Sequence, residues 1–238
     1  MSERPTVLAP LLKLQREVAD FIFPPRCVGC RTRGQWFCAA CRNAASRVPS
    51  SICKQCGAPT PELHTCSRCW KTPPRFDALR ARYFFEGTVR QAIHLFKYRR
   101  SRHMVGPLAE LLLESIEPDF AKSDAVVPVP LHERRLRERS YNQSQLLASE
   151  VSQALGIVLV DNSLVRLRDT KPQMRLPAED RSQNVRDAFG TIDHSLAGKK
   201  VLLIDDVCTT GATLSECASA LKKTGVATVW AACVARAR

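Results

Sequence analysis

Apolar spacing divides the chain into recognisable elements. Val201 to Ile204 is apolar at every position, the mark of a strand covered on both faces. It runs into Asp205 and Asp206, then a short turn of Thr209, Thr210 and Gly211, and a helix is expected from about Ala212 to Lys223. Ala125 to Pro130 is a second apolar strand, which its prolines stop abruptly. Ala78–Phe85 reads as a strand, followed by a Glu86-Gly87 turn and a helix that Thr88 caps, with Ala92, Ile93, Leu95 and Phe96 on its inner side. Residues 104–117 form another helix, carrying Leu108, Leu111, Leu112 and Ile116. A further helix opens at Ser140-Tyr141-Asn142-Gln143 and reaches about Leu155, and Leu164–Leu167 is strand-like. Strands alternating with helices predict an α/β unit with a parallel sheet.

The front of the chain has a different texture. Residues 6–22 place Val7, Leu8, Leu11, Leu12, Leu14, Val18, Phe21 and Ile22 at helical spacing, ended by Pro24-Pro25. Few cations lie on the polar side, which favours a packing helix over a membrane-surface one. Four Cys-x-x-Cys pairs follow: Cys27/Cys30, Cys38/Cys41, Cys53/Cys56 and Cys66/Cys69. Each pair can present two sulfurs to one metal ion, and two pairs complete a tetrahedron. The separations suit sequential pairing into zinc ribbons over 27–41 and 53–69, with interleaved pairing also open. Eight cysteines fill both sets, which points to closed structural Zn²⁺ sites and leaves His64 a bystander. Thr72-Pro73-Pro74-Arg75 then breaks the chain as a linker.

Charge and composition change this picture in one respect. The net charge is +13. Residues 1–76 hold 12 Lys/Arg against 4 Asp/Glu and residues 77–102 hold 7 against 2, whereas residues 103–238 are neutral. The whole excess therefore lies at the front, and eight thiolates on two Zn²⁺ lower it by four. A basic front end admits contact with nucleic acid but overstates it. No apolar run approaches the ~18 residues of a membrane span. Met1 to Pro10 lacks an apolar signal core, so the expected location is the cytoplasm.

The chemistry gathers at the end of the central strand. Backbone N–H groups of Thr210, Gly211, Ala212 and Thr213, with the hydroxyls of Thr209, Thr210 and Thr213, suit a monophosphate at a helix N-terminus. Asp205 and Asp206 suit two neighbouring sugar hydroxyls or a hydrated Mg²⁺. Leu131–Arg139 reads as a basic loop at the end of a strand, where Arg134 and Arg135 can receive a second anionic group. The Lys97–Arg102 run is either a solvated helix end or an anion contact. Residues 168–186 are long, polar and scarcely periodic, as expected of a lid. Cys208, Cys217 and Cys233 read as small apolar fillers.

The strand, the acid pair and Thr209-Thr210-Gly211-Ala212-Thr213 resemble the phosphoribosyl pyrophosphate (PRPP) motif of type I phosphoribosyltransferases. With the cysteine pairs, Lys97-Tyr98, Pro128-Val129-Pro130, Arg139-Ser140-Tyr141-Asn142-Gln143 and the Arg168…Thr170…Gln173…Arg181…Asn184 stretch, the chain resembles the ComF (GntX-like, competence protein F) family nearly end to end. Ser140 departs from the family's usual glycine. The resemblance implies an α/β, type I phosphoribosyltransferase-like parallel sheet flanked by helices, with an N-terminal Cys-rich zinc-ribbon domain. Its boundaries are expected as a helix over 1–25, a double zinc ribbon over 26–72 and a phosphoribosyltransferase-like domain over 76–238. It further implies PRPP or a related ribose 5-phosphate as ligand. Thr209–Thr213 would bind the 5′-phosphate, Asp205 and Asp206 the ribose, Mg²⁺ the diphosphate, and Arg134, Arg135, Arg168 and Arg181 the departing pyrophosphate. For some members it implies a role in DNA uptake, with uptake-machinery proteins and single-stranded DNA as partners. The other reading is a non-enzymatic DNA-binding accessory protein that keeps the sugar-phosphate pocket as a regulatory site.

Overall fold

A computed structural model describes residues 24–61, 64–98, 101–169 and 184–238. Residues 6–22, expected as a helix, and most of the expected lid, including Arg181, lie outside the described residues. The first of two short ribbon helices is α1 (Ala39–Asn43) and the second is α2 (Ser67–Lys71). Then come β1 (Ala78–Phe84), α3 (Gly87–Tyr98), α4 (Val105–Leu113), β2 (Ala125–Pro128), α5 (Glu133–Arg139), α6 (Gln143–Leu155) and β3 (Val158–Leu159). A hairpin of β4 (Leu164–Arg166) and β5 (Phe189–Thr191) precedes β6 (Lys200–Cys208), α7 (Ala212–Lys223) and β7 (Thr228–Arg236).

Five strands form one parallel sheet in the order β1-β7-β6-β2-β3. The fully apolar Val201–Ile204 run lies between β2 and β7, with no exposure on either face. From β2 the chain crosses outward to β3, whereas from β6 it crosses the other way to β7. The C-terminal ends of β2 and β6 therefore flank a topological switch point, where open α/β sheets hold their ligands.

Each face of the sheet has its own core, and each ribbon joins a different one. Cys27, Val28 and Phe37 of the first ribbon pack with Phe96, Leu108 and Leu147 from the face covered by α3, α4 and α6. Cys53, Cys56 and Cys69 of the second pack with Phe76, Leu214 and Leu221 on the α7 face. The outer edge of β1 would otherwise present unpaired backbone groups. It is covered by the segment joining the ribbons and by the first knuckle of the second: Phe84 N–H donates to the Ser46 carbonyl at 2.9 Å, and Leu79 N–H to the Gln55 carbonyl at 2.7 Å.

Two elements differ from expectation. Leu131–Arg139, read as a basic loop, contains the helix α5, with His132 Nδ1 accepting the Arg134 N–H. Thr88 does not cap α3; its hydroxyl donates to the Cys41 carbonyl at 3.4 Å and fastens the first ribbon instead. Ser140 holds the left-handed conformation (φ 70°) between α5 and α6, so the turn survives without glycine. Among the described residues, no helix is long and apolar enough to cross a membrane.

Candidate functional site

The two cysteine quartets assemble as sequential pairs: Cys27, Cys30, Cys38, Cys41 and Cys53, Cys56, Cys66, Cys69 each place four sulfurs within 4.8 Å of one another. Their donor chemistry fits a dication. Against the cost of burial, backbone N–H groups of Cys38, Cys30 and Gly29 bring the Cys27 thiol down to about 6. Burial and the neighbouring sulfurs push Cys41 of the same quartet up to about 12. The second quartet repeats the split: Cys53 falls to about 6 and Cys69 rises. Four thiolates cannot share so small a volume without a cation, and Zn²⁺ supplies it. His64 belongs to neither set.

The larger site is the cleft above the switch point. Asp205, Asp206, Thr209 and Thr213 line it from the β6–α7 side, Val129, Pro130 and Leu131 from the end of β2, and Lys97, Arg135, Arg139 and Arg166 supply cations. β6 runs through both acids to Cys208, so the pair stands inside the strand's last turn of the ladder rather than beyond it. Asp205 Oδ1 accepts the Ser144 hydroxyl at 2.8 Å and the Asp206 N–H at 2.9 Å. Burial and the adjacent Asp206 carboxylate push its pKa up to about 6. Asp206, 5% exposed, receives the Lys97 ammonium on Oδ1 at 2.9 Å.

Beyond the acids, Gly211 ends the loop in the left-handed region (φ 82°) and caps α7. A Cβ there would meet the Phe76 ring at an ordinary 3.5 Å, so the backbone conformation, not space, calls for glycine. Thr210 Oγ accepts the Ala212 N–H at 3.4 Å. Thr209 and Thr213 face the cleft, whereas Thr210, Gly211 and Ala212 wall a second cavity shared with Cys56, Arg68, Cys69 and Phe76 of the second ribbon and linker.

The arginines singled out from sequence separate. Arg135 lines the cleft, where burial and then the Arg139 guanidinium lower its pKa. Arg134 turns outward, its Nε 2.6 Å from Asp169 at the root of the expected lid. Arg168 donates to the Arg186 carbonyl across the other side of that root. Arg166 is also lowered, by burial and then by Arg135. Cations pressed together at a buried cleft want an anion between them.

Sequence reasoning left Lys97 open between a solvated helix end and an anion contact and gave no role to Arg139, Gln143, Ser144 or Arg166; all five line the cleft. Gln143 sits at the start of α6, 2% exposed, with its Oε1 held by Arg139 at 3.0 Å and its Nε2 without a partner. The available signal was the Arg139–Gln143 spacing of four residues across a turn. Cys208, Cys217 and Cys233 are buried, and burial raises all three thiols, as suits apolar fillers.

Comparison with known proteins matches two separate stretches of the chain. The double zinc ribbon domain family covers residues 18–70, and the phosphoribosyl transferase domain family covers residues 142–238. The DNA utilization protein YhgH of Escherichia coli K12 is 32% identical over 223 residues, spanning 90% of this chain and 97% of its own length. The chain belongs to the competence protein F (ComF) family. Competence protein F of Haemophilus influenzae is 31% identical over 84% of this chain and 92% of its own. Competence protein ComFC of Bacillus subtilis is 29% identical over 80% and 79%. This chain thus combines the double zinc ribbon with the phosphoribosyltransferase-like parallel sheet.

Proposed function

We propose that the cleft binds PRPP or a related ribose 5-phosphate and serves a phosphoribosyl transfer within DNA uptake or DNA utilization. The observation that carries this reading is the adjacency of Asp205 and Asp206 to the Thr209–Thr213 loop beneath converging cations. The N-terminus of α7 and the loop hydroxyls take the 5′-phosphate. Asp205 and Asp206 accept hydrogen bonds from the ribose hydroxyls. Gln143 Nε2 offers an open donor to a ligand oxygen. Arg135, with Arg168 and Arg181 from the lid, neutralises the diphosphate as its bond to the anomeric carbon breaks and positive charge develops on the sugar. Among the described residues no dedicated general base is evident, so positioning and electrostatics carry the rate. The ribbons over 26–72 and the unit over 76–238 act as two domains.

The expected Mg²⁺ has no cage of its own. Asp205 is already bonded to Ser144 and Asp206 to Lys97, and among the described residues the two cysteine quartets are the only clusters of three or more metal-binding side chains. Magnesium belongs to this scheme only as the counter-ion that PRPP itself carries on its diphosphate.

The deciding experiment is calorimetry of the zinc-loaded protein with PRPP. Wild-type protein binds, and Asp205→Asn combined with Asp206→Asn does not; equal binding by both discards the assignment. The second reading, a single-stranded-DNA accessory protein, is favoured by Trp70. This side chain is 81% exposed on α2, between the cations Arg68 and Lys71. An exposed ring between cations suits base stacking. Trp70→Ala would weaken single-stranded DNA binding while leaving PRPP binding intact.

A further inference from the structure

Two neighbouring carboxylates at the base of a buried cleft require a positive charge, because each raises the cost of ionising the other. A divalent cation commonly fills that need in phosphate chemistry. Here the chain supplies the charge itself. Lys97 stands in the last turn of α3, its side chain only 16% exposed and its ammonium 2.9 Å from Asp206 Oδ1. The helix end that delivers it is fixed from behind. Phe96 is fully buried, and its carbonyl accepts the Tyr141 hydroxyl. Arg102 lies over the Tyr141 ring at 5.2 Å. Asp205 is engaged separately by Ser144, so each acid has a resident donor on the protein. Four side chains thereby form a closed set, Lys97–Asp206 and Ser144–Asp205, which orients both carboxylates toward the cleft. The surrounding cations (Arg135, Arg139 and Arg166) line the same cleft and would repel a further dication.

We infer that Lys97 takes the place of a protein-bound divalent cation at the acid pair, so that sugar phosphates lacking a diphosphate bind this cleft without magnesium. Lys97 acts as a positioning residue: its ammonium holds the Asp206 carboxylate aimed, and the carboxylate meets the sugar. The inference rests on the ribose phosphate reading above and deepens it. A ligand carrying a diphosphate brings its own magnesium, whereas ribose 5-phosphate needs none.

The test is calorimetry of the full-length, zinc-loaded protein with ribose 5-phosphate, with and without millimolar magnesium chloride. Magnesium is omitted rather than chelated, since a chelator strips the zinc sites. Wild-type affinity should agree within about twofold between the two buffers, as expected when the dication has no differential contact with the bound state. Lys97→Met should bind at least about tenfold more weakly without magnesium and recover most of that loss when magnesium is added. Lys97→Arg should keep magnesium-free binding. Three results overturn the inference: wild-type binding that appears only with magnesium, Lys97→Met binding like wild type without it, or a Lys97→Met defect that magnesium leaves unchanged. Zinc content and thermal melting of each variant identify misfolding; if Lys97→Met does not fold, the two wild-type titrations decide. Absence of ribose 5-phosphate and PRPP binding in every buffer would instead remove the underlying ribose phosphate reading.

Discussion

The two zinc ribbons are built alike and placed differently, and the difference separates what a metal knuckle does for itself from what it does for a fold. In both, the first cysteine's N–H bonds a carbonyl five residues on: Cys27 to Thr32 at 2.9 Å and Cys53 to Ala58 at 2.8 Å. In both, the third cysteine's N–H points at the first one's sulfur, at 3.4 Å for Cys38 and 3.3 Å for Cys66. The first ribbon leaves Cys30 exposed and leans on α3, α4 and the turn between them through Thr88, the Arg42–Glu110 pair and a Trp36–His103 stack. The second buries Cys53, Cys56 and Cys69 against the face that holds α7, and shares a cavity wall with Thr210, Gly211 and Ala212. One ribbon is fastened to the rim. The other is part of the floor beneath the phosphate loop.

The largest consequence concerns loss of metal. Cys53→Ser should release one zinc equivalent, lower the melting temperature markedly and weaken ribose 5-phosphate binding by at least about tenfold, because the loop loses its backing. Cys30→Ser should also release one zinc equivalent yet leave ligand affinity within about twofold, since no described first-ribbon residue lines the cleft or backs the Thr209–Thr213 loop. Zinc content, melting and calorimetry on the same preparations check this. Equal ligand defects in the two variants would break the distinction.

The next effect is backbone geometry at one equivalent position. Gly57 and Arg31 both hold left-handed conformations, φ 65° and 66°. Both donate their N–H to the first cysteine's carbonyl, at 2.9 and 3.0 Å. A Cβ on Gly57 would fall 2.5 Å from the Leu79 carbonyl oxygen, a backbone atom of β1 that cannot step aside. Gly57→Ala should therefore cost about 3 kcal/mol or more, read by urea unfolding, with strain and overlap adding. Arg31→Ala should cost under about 1 kcal/mol, because the left-handed strain is already present there.

How much of this the sequence discloses depends on whether the information is local. Val201–Ile204 has no polar face, so burial on both sides follows directly, as does the acid pair at its end. The cysteine quartets are equally local. Strand β7 goes unread because Ala231, Ala232 and Ala235 have weak strand preference, and only their close packing between β1 and β6 selects that conformation. Helix α5 goes unread because it buries none of its own residues and so lacks apolar periodicity. In the site, Asp205, Asp206, Thr209 and Thr213 sit within one segment and were legible. Lys97, Arg139, Gln143 and Arg166 come from other segments that only the sheet order brings together. Which face each ribbon occupies is likewise a property of the packed chain.

A smaller contrast lies in the arginines that fasten each ribbon. Arg236, 4% exposed at the end of β7, donates Nη1 to the Cys56 carbonyl at 2.7 Å. Arg42 pairs with Glu110 at the surface, the glutamate side chain being 61% exposed. Arg236→Met should cost about 2 kcal/mol in urea unfolding, since it leaves a buried carbonyl unpaired. Arg42→Met should cost under about 1 kcal/mol and lose even that in high salt. Comparable costs for the two would mean the second ribbon is held no more firmly than the first.

The smallest effect is the reverse substitution, Arg31→Gly, and it isolates conformation from contact. Arg31 is exposed, and its left-handed backbone carries about 1 kcal/mol of strain that glycine does not. Glycine also loses more freedom on folding, by roughly 0.5–1 kcal/mol, so the two terms nearly cancel. The folded ribbon should therefore change in stability by less than about 0.5 kcal/mol in either direction. Zinc stoichiometry and the urea midpoint should stay at the wild-type values. A loss of several kcal/mol would show that the arginine side chain, rather than the turn, holds the first knuckle, and that the two ribbons differ in construction as well as in placement.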